Sequence, residues 1–93
     1  MFLKPVKKPL LAGNVLHSLP GRIRIGCPAL RYLDGYKGEI ETRLTSDFAI
    51  LSARVTPLSE NVLIHFDEKK STAKEILEIV ESAIGSYSTL AYK

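Results

Sequence analysis

Leu19-Pro20-Gly21-Arg22-Ile23-Arg24-Ile25-Gly26-Cys27, residues 19–27, decides how the rest of the chain is read. Pro20-Gly21 punctuates an extended stretch that starts at Asn14. Beyond it, Arg22, Arg24 and Gly26 alternate with Ile23, Ile25 and Cys27. Successive side chains of a strand leave opposite sides of the backbone, so a period of two marks a strand with one buried face. Pro28 ends it, because proline has no N–H to give to a ladder.

Working outward, Tyr36, Ile40 and Leu44 recur every four residues. This spacing predicts a helix over about 34–46 with Asp34 as its N-cap and a first turn weakened by Gly35 and Gly38. Residues 50–56 alternate again, with Leu51, Ala53 and Val55 opposed to Ser52, Arg54 and Thr56. Pro57-Leu58-Ser59-Glu60-Asn61 is turn chemistry, and Val62, Ile64 and Phe66 then alternate with Leu63 and His65. The two runs read as a β-hairpin. Residues 71–84 carry the apolar stripe Ala73, Ile76, Leu77, Val80, Ala83 and Ile84, opened by a Thr72/Glu75 capping box or by Ser71 as the cap, and closed by Gly85 as the C′ residue. Residues 86–93 read as a last short strand using Tyr87, Leu90 and Tyr92.

The order strand, helix, strand, strand, helix, strand predicts an α+β chain. The expected architecture is a ferredoxin-like βαββαβ sandwich, one antiparallel or mixed sheet with two helices on one face. Right-handed crossovers are expected to set the first and third strands as parallel neighbours in its middle. Ile23, Ile25, Cys27, Leu51, Ala53, Val55, Val62, Ile64 and Phe66 then point at the helices. Arg22, Arg24, Gly26, Ser52, Arg54, Thr56, Leu63 and His65 take the open face, which separates Cys27 from His65.

Composition narrows the function. A chain of 93 residues fits one domain, residues 14–93, preceded by a basic, proline-containing arm at 1–13. The net charge of +3 belongs to that arm: Lys4, Lys7 and Lys8 stand there without an acid, and from Asn14 onward ten Lys and Arg balance ten Asp and Glu. A domain without net basic charge argues against nucleic acid as partner. A single cysteine allows no internal disulfide and needs no oxidising compartment. With no apolar run of membrane-spanning length and no leader-like start, the expected location is cytoplasmic. No Ser-His-Asp or Cys-His spacing and no phosphate-binding glycine loop recommends an enzyme.

The opening His17-Ser18-Leu19-Pro20-Gly21-Arg22-Ile23-Arg24 and the stretches Arg54-Val55-Thr56-Pro57 and Asn61-Val62-Leu63-Ile64-His65-Phe66-Asp67 resemble a divergent branch of the heavy-metal-associated domain family. The likeness runs from about Val15 to the C-terminus. It implies the ferredoxin-like fold and a role in metal or metal-cofactor handling and homeostasis, standing alone or partnering a heavy-metal P-type ATPase or other membrane transporter. Familiar members hold soft cations with Cys-x-x-Cys after the first strand, where two thiolates suit a soft metal. Here that loop reads Gly26-Cys27-Pro28-Ala29-Leu30-Arg31, with one thiol.

Three residues are candidate ligands for a transition metal or a haem iron: His65, His17 and Cys27. For Cys27 the alternative is a small apolar residue beneath the first helix. For His65 it is an ordinary polar residue of a solvated strand face, and for His17 a hydrogen bond to nearby backbone. Arg22, Arg24 and Arg54 are candidate contacts for haem propionates or another anion. Gly26 is expected beside His65, leaving space for a flat ligand. The leading expectation is thus a non-enzymatic metal or metal-cofactor binding module. Its alternatives are a haem-binding or trafficking protein using His65, and a ligand-free interaction domain that forms a homodimer through an exposed sheet edge, in particular that of residues 50–56.

Overall fold

The computed structural model describes residues 14–91, with side chains from Asn14 to Tyr87. Expectations for residues 1–13 and 92–93 fall outside them. The elements are β1 (Asn14–Leu19), β2 (Arg22–Gly26), α1 (Lys37–Thr45), β3 (Ile50–Thr56), β4 (Asn61–Phe66) and α2 (Ala73–Ala91). Turns of 3-10 helix occupy Pro28–Tyr32, Asp34–Tyr36 and Pro57–Ser59. The chain is α+β: one sheet in the order β1-β2-β4-β3, antiparallel at every seam, with both helices packed on one face.

The order ββαββα departs from the expected βαββαβ at both ends. The stretch before Pro20 is a full strand, because Leu19-Pro20-Gly21-Arg22 is a hairpin turn. Proline presets its first corner, and Gly21, at φ +73°, supplies the left-handed second one. A Cβ on Gly21 would stand 3.1 Å from the carbonyl oxygen of Phe66, and the Phe66 N–H donates to the Gly21 carbonyl at 2.9 Å. At the other end, the strand expected over 86–93 is absent through Ala91, since α2 runs on through Gly85. Tyr87 continues the stripe of Val80 and Ile84 and rests against Tyr36, ring centroids 5.4 Å apart. A glycine inside a helix costs only about 1 kcal/mol, which that packing offsets. β1 holds the sheet edge beside β2.

β2 and β4 are indeed central neighbours, but they run antiparallel, with Arg22 opposite His65 and Ile25 opposite Val62. The α1 crossover makes β3 parallel to β2. The short turn at Pro57–Ser59 then reverses the chain, so β4 enters between them antiparallel to both.

Alternation places Ile23, Ile25, Val55, Val62 and Ile64 in the core with Ile40 and Leu44 of α1 and Ile76, Val80 and Ile84 of α2, all fully buried. Each such side chain contributes about 1.5–3 kcal/mol of burial. Leu51 is the exception. The β3–β4 register runs Ile50↔Phe66, then Ser52↔His65, so Leu51 is an extra residue in the ladder. Ile50 takes the inward place and Leu51 is 67% exposed. The Thr72/Glu75 box closes as expected, Glu75 N–H to Thr72 Oγ1 at 3.2 Å and Thr72 N–H to Glu75 Oε1 at 3.1 Å. Asp34 instead opens a 3-10 turn, and α1 starts at Lys37 without a side-chain cap.

Candidate functional site: the open face of the sheet

Opposed residues of an antiparallel ladder share a face, so the registers assign the side away from the helices row by row. One row reads Leu19, Arg22, His65 and Ser52, with Leu51 beside Ser52. The next reads His17, Arg24, Leu63 and Arg54, and the third Asn14, Gly26, Asn61 and Thr56. The four strands hold no Asp or Glu, and every arginine and histidine they hold lies on this face. All ten acidic residues lie in helices, turns and loops. Alternation thus separates charge as well as hydrophobicity. The open face is basic with an apolar ground of leucines, and the carboxylates belong to the rest of the surface.

His65 is exposed at the centre of the first row. Its Nδ1 lies 3.2 Å from Ser52 Oγ, within hydrogen-bond distance, with the donor set by the imidazole tautomer. Arg22 stands opposite on β2, its Nε shielded from solvent and without a hydrogen-bond partner among the described residues. In the second row Arg24 and Arg54 both oppose Leu63, one from each side, so the two arginines are about 10 Å apart at the backbone, two strand spacings. His17 shares the face but belongs to the outer strand β1, opposite Arg24.

Gly26 keeps its expected face but not its expected neighbour, and Cys27 takes the core side expected of it. Gly26 pairs with Asn61 at the far end of β2 from Arg22 and His65. The space above it is taken: a Cβ there would meet three Leu16 side-chain carbons at 3.1–3.2 Å. Leu16 is the extra residue where the β1–β2 register shifts between Val15 and His17, and that shift lays it over the glycine. Cys27 lies on the other side of the sheet, 1% exposed within the core. Burial pushes its thiol pKa up, Glu81 and Glu60 push the same way, and the Ala29 N–H opposes them. That is the environment of a structural cysteine, since the metal-binding form is the thiolate. Among the described residues no group of three His, Cys, Asp or Glu is placed to hold a metal ion.

Alternation alone missed the leucines. Leu19 belongs to a strand read only as an extended stretch, and Leu16 and Leu51 reach the face through register shifts that leave no mark in the pattern of residue types. It also missed Glu41. Burial raises this carboxyl, but the Val55 N–H at 2.8 Å and Lys37 at 3.0 Å outweigh that and hold it below its ordinary value. Glu41 thereby occupies a backbone donor of the sheet's edge strand β3.

Comparison with protein-family models, curated proteins and solved structures finds no match to this chain. Among the described residues no helix is long and apolar enough to cross a membrane.

Proposed function

We propose that this chain is a non-enzymatic binding module that works through the open face of its sheet, and that its ligand is haem or a similar flat metallocofactor carrying carboxylates. The observation that carries the reading is the setting of His65. An exposed imidazole, tied at Nδ1 by Ser52, stands among Arg22, Arg24 and Arg54 on a face whose strands contain no acid. An imidazole nitrogen is a normal axial ligand of haem iron, arginines suit propionates, and Leu19, Leu51 and Leu63 offer apolar contact to a macrocycle. Bound haem would supply an iron centre with one protein ligand. The chain's own residues hold and orient it.

The expected transition-metal site finds less support, since Cys27 is buried and its thiol is held protonated. The succession β2–α1–β3–β4–α2 supports reading the domain as a ferredoxin-like fold whose sixth element has been replaced by the N-terminal strand. Kinship with heavy-metal-associated domains, and a hand-off to a heavy-metal P-type ATPase or other membrane transporter from the cytoplasm, rest on the sequence resemblance.

Titration of the purified protein with haem, followed by absorption, tests the reading. A saturable Soret shift at one haem per chain is expected, lost or displaced in His65→Ala. Uptake with an unchanged spectrum and affinity in His65→Ala would remove His65. Stoichiometric Cu(I) or Zn(II) uptake without haem binding would return the chain to metal handling.

A further inference from the structure

A strand at the edge of a sheet offers unpaired N–H and C=O groups to any second strand, and natural proteins usually guard it with charge, proline or a covering element. The two edges of this sheet are treated differently. β3 is guarded: α1 packs along it, and Glu41 occupies the Val55 N–H. The edge expected from sequence to pair is thus the more protected of the two. Among the described residues β1 has none of these three, and its one irregularity is the shift at Leu16, a bulge of the kind that can also turn an edge aside. Among the described residues no strand adjoins its outer edge, all six of its residues are exposed, and it holds no proline, lysine or carboxylate.

The register adds a property that ordinary strands lack. Asn14 opposes Gly26, His17 opposes Arg24 and Leu19 opposes Arg22, so these three lie on the open face. Leu16 lies there too, over Gly26. Val15 and Ser18 oppose Ile25 and Ile23 and lie on the helix side. Read in order, β1 runs open, back, open, open, back, open. The sequence of faces is the same from either end, because the shift at Leu16 reverses the alternation in mid-strand. Two copies paired antiparallel about the Leu16–His17 bond would therefore match faces at every position. Asn14 would oppose the second copy's Leu19, Val15 its Ser18, and Leu16 its His17. A two-fold interface needs such self-complementarity.

We propose that β1 is a homodimer seam, at which two copies join edge to edge into one continuous sheet. Antiparallel pairing requires a two-fold axis perpendicular to the sheet, so the open faces of both copies lie on the same side and the helices on the other. The basic character of the open face does not oppose this. Arg22 and Arg24 of the two copies are kept apart by both β1 strands, about 14 Å at three strand spacings, beyond the screening length of about 8 Å at physiological salt. The exposed Val15, Leu16 and Leu19 give the seam apolar side chains on both sides. This inference stands on the register of β1 and not on the haem reading. Either can fail alone, since one is read by mass and the other by absorption.

Sedimentation equilibrium of the full chain at high micromolar concentration is the test. The expected species is a dimer of the 10.3 kDa chain. In V15K/S18K the introduced lysines of the two copies stand directly opposite each other, twice per dimer, and like charges so placed destabilise a strand pair. Dissociation should tighten or weaken with charge sign: V15K/S18K is expected to be monomeric, and V15K/S18E, which sets opposite charges in the same places, dimeric. Both positions are exposed, and circular dichroism should show both variants folded. A monomeric wild type overturns the proposal. So does a dimer that survives V15K/S18K, and so does a wild-type monomer that dimerises only when residues 1–13 are removed, which would assign the edge to that segment.

Discussion

Ser52 stands opposite His65 because Leu51 is extra. Without the register shift at Leu51, Leu51 itself would oppose His65 and Ser52 would turn toward the helices. The 3.2 Å contact from Ser52 Oγ to His65 Nδ1 is therefore a consequence of the ladder's irregularity. Ser52→Ala should leave the thermal midpoint nearly unchanged, since the pair is exposed. It should weaken haem binding several-fold while retaining a histidine-ligated spectrum, because the ring loses its orienting partner and keeps its Nε2. Equal haem affinity in wild type and Ser52→Ala would show that the ring needs no such partner.

The arginines are expected to act through charge. Arg24 and Arg54 flank Leu63 at the same level of the sheet. Replacing either by alanine should weaken haem binding several-fold, and replacing both should flatten the dependence of affinity on salt. Exposed ion pairs contribute about 0–1 kcal/mol each and are screened by added salt. Arg43 on α1 provides the control. It lies against Tyr87 between the helices, at 6.0 Å from the ring, away from the open face. Arg43→Ala should leave haem affinity and its salt dependence unchanged, as read by titration at low and high ionic strength.

Glu41 ties acid stability to the β3 edge. Its folded pKa is lowered, so its contribution is whole above the ordinary carboxyl value of 4.5 and is lost as pH falls below that toward the folded pKa. Glu41→Ala should cost about 1.5–3 kcal/mol at neutral pH, the range for a lost hydrogen bond to a charged group, and much less in acid. Urea unfolding of wild type and variant at pH 7 and pH 3 measures the difference. A penalty of the same size at both values would mean that the carboxylate's charge is not what holds the Val55 N–H.

How much of this was legible follows from what alternation can encode. Ile23 and Ile25, Val62 and Ile64, and the stripe from Ile76 to Ile84 declared their faces through residue type alone, and the open-face positions of Arg22, Arg24, Arg54 and His65 followed by parity. Parity breaks wherever a ladder gains a residue. Ile50-Leu51 offers two apolar residues in succession, either of which satisfies the core, and only the pairing with Phe66 and His65 selects Ile50. Asn14 to Leu19 alternates poorly because the strand is exposed on both sides and shifts at Leu16, so its chief signal was the turn at Pro20-Gly21. Gly85 looked like a stop because the packing of Tyr87 on Tyr36 is a tertiary contact, invisible to local pattern.

Leu16 and Gly26 make a last case, in which a missing side chain and an extra residue fit together. A Cβ on Gly26 would come within 3.1 Å of Leu16 Cδ1, tighter than ordinary contact. The obstacle is the far end of a flexible side chain, itself 57% exposed, so it can swing away at modest cost. Gly26→Ala should therefore destabilise by less than about 1 kcal/mol, partly offset by the gain from removing a glycine inside a strand. In a Leu16→Ala background the clash is gone, and Gly26→Ala should be neutral or stabilising. Chemical denaturation of the four proteins in this cycle gives a coupling energy, for which contacting pairs show about 0.5–3 kcal/mol. A coupling indistinguishable from zero would mean that Leu16 does not rest over Gly26, which would remove the open-face position of Leu16 on which the symmetric pattern of β1 depends.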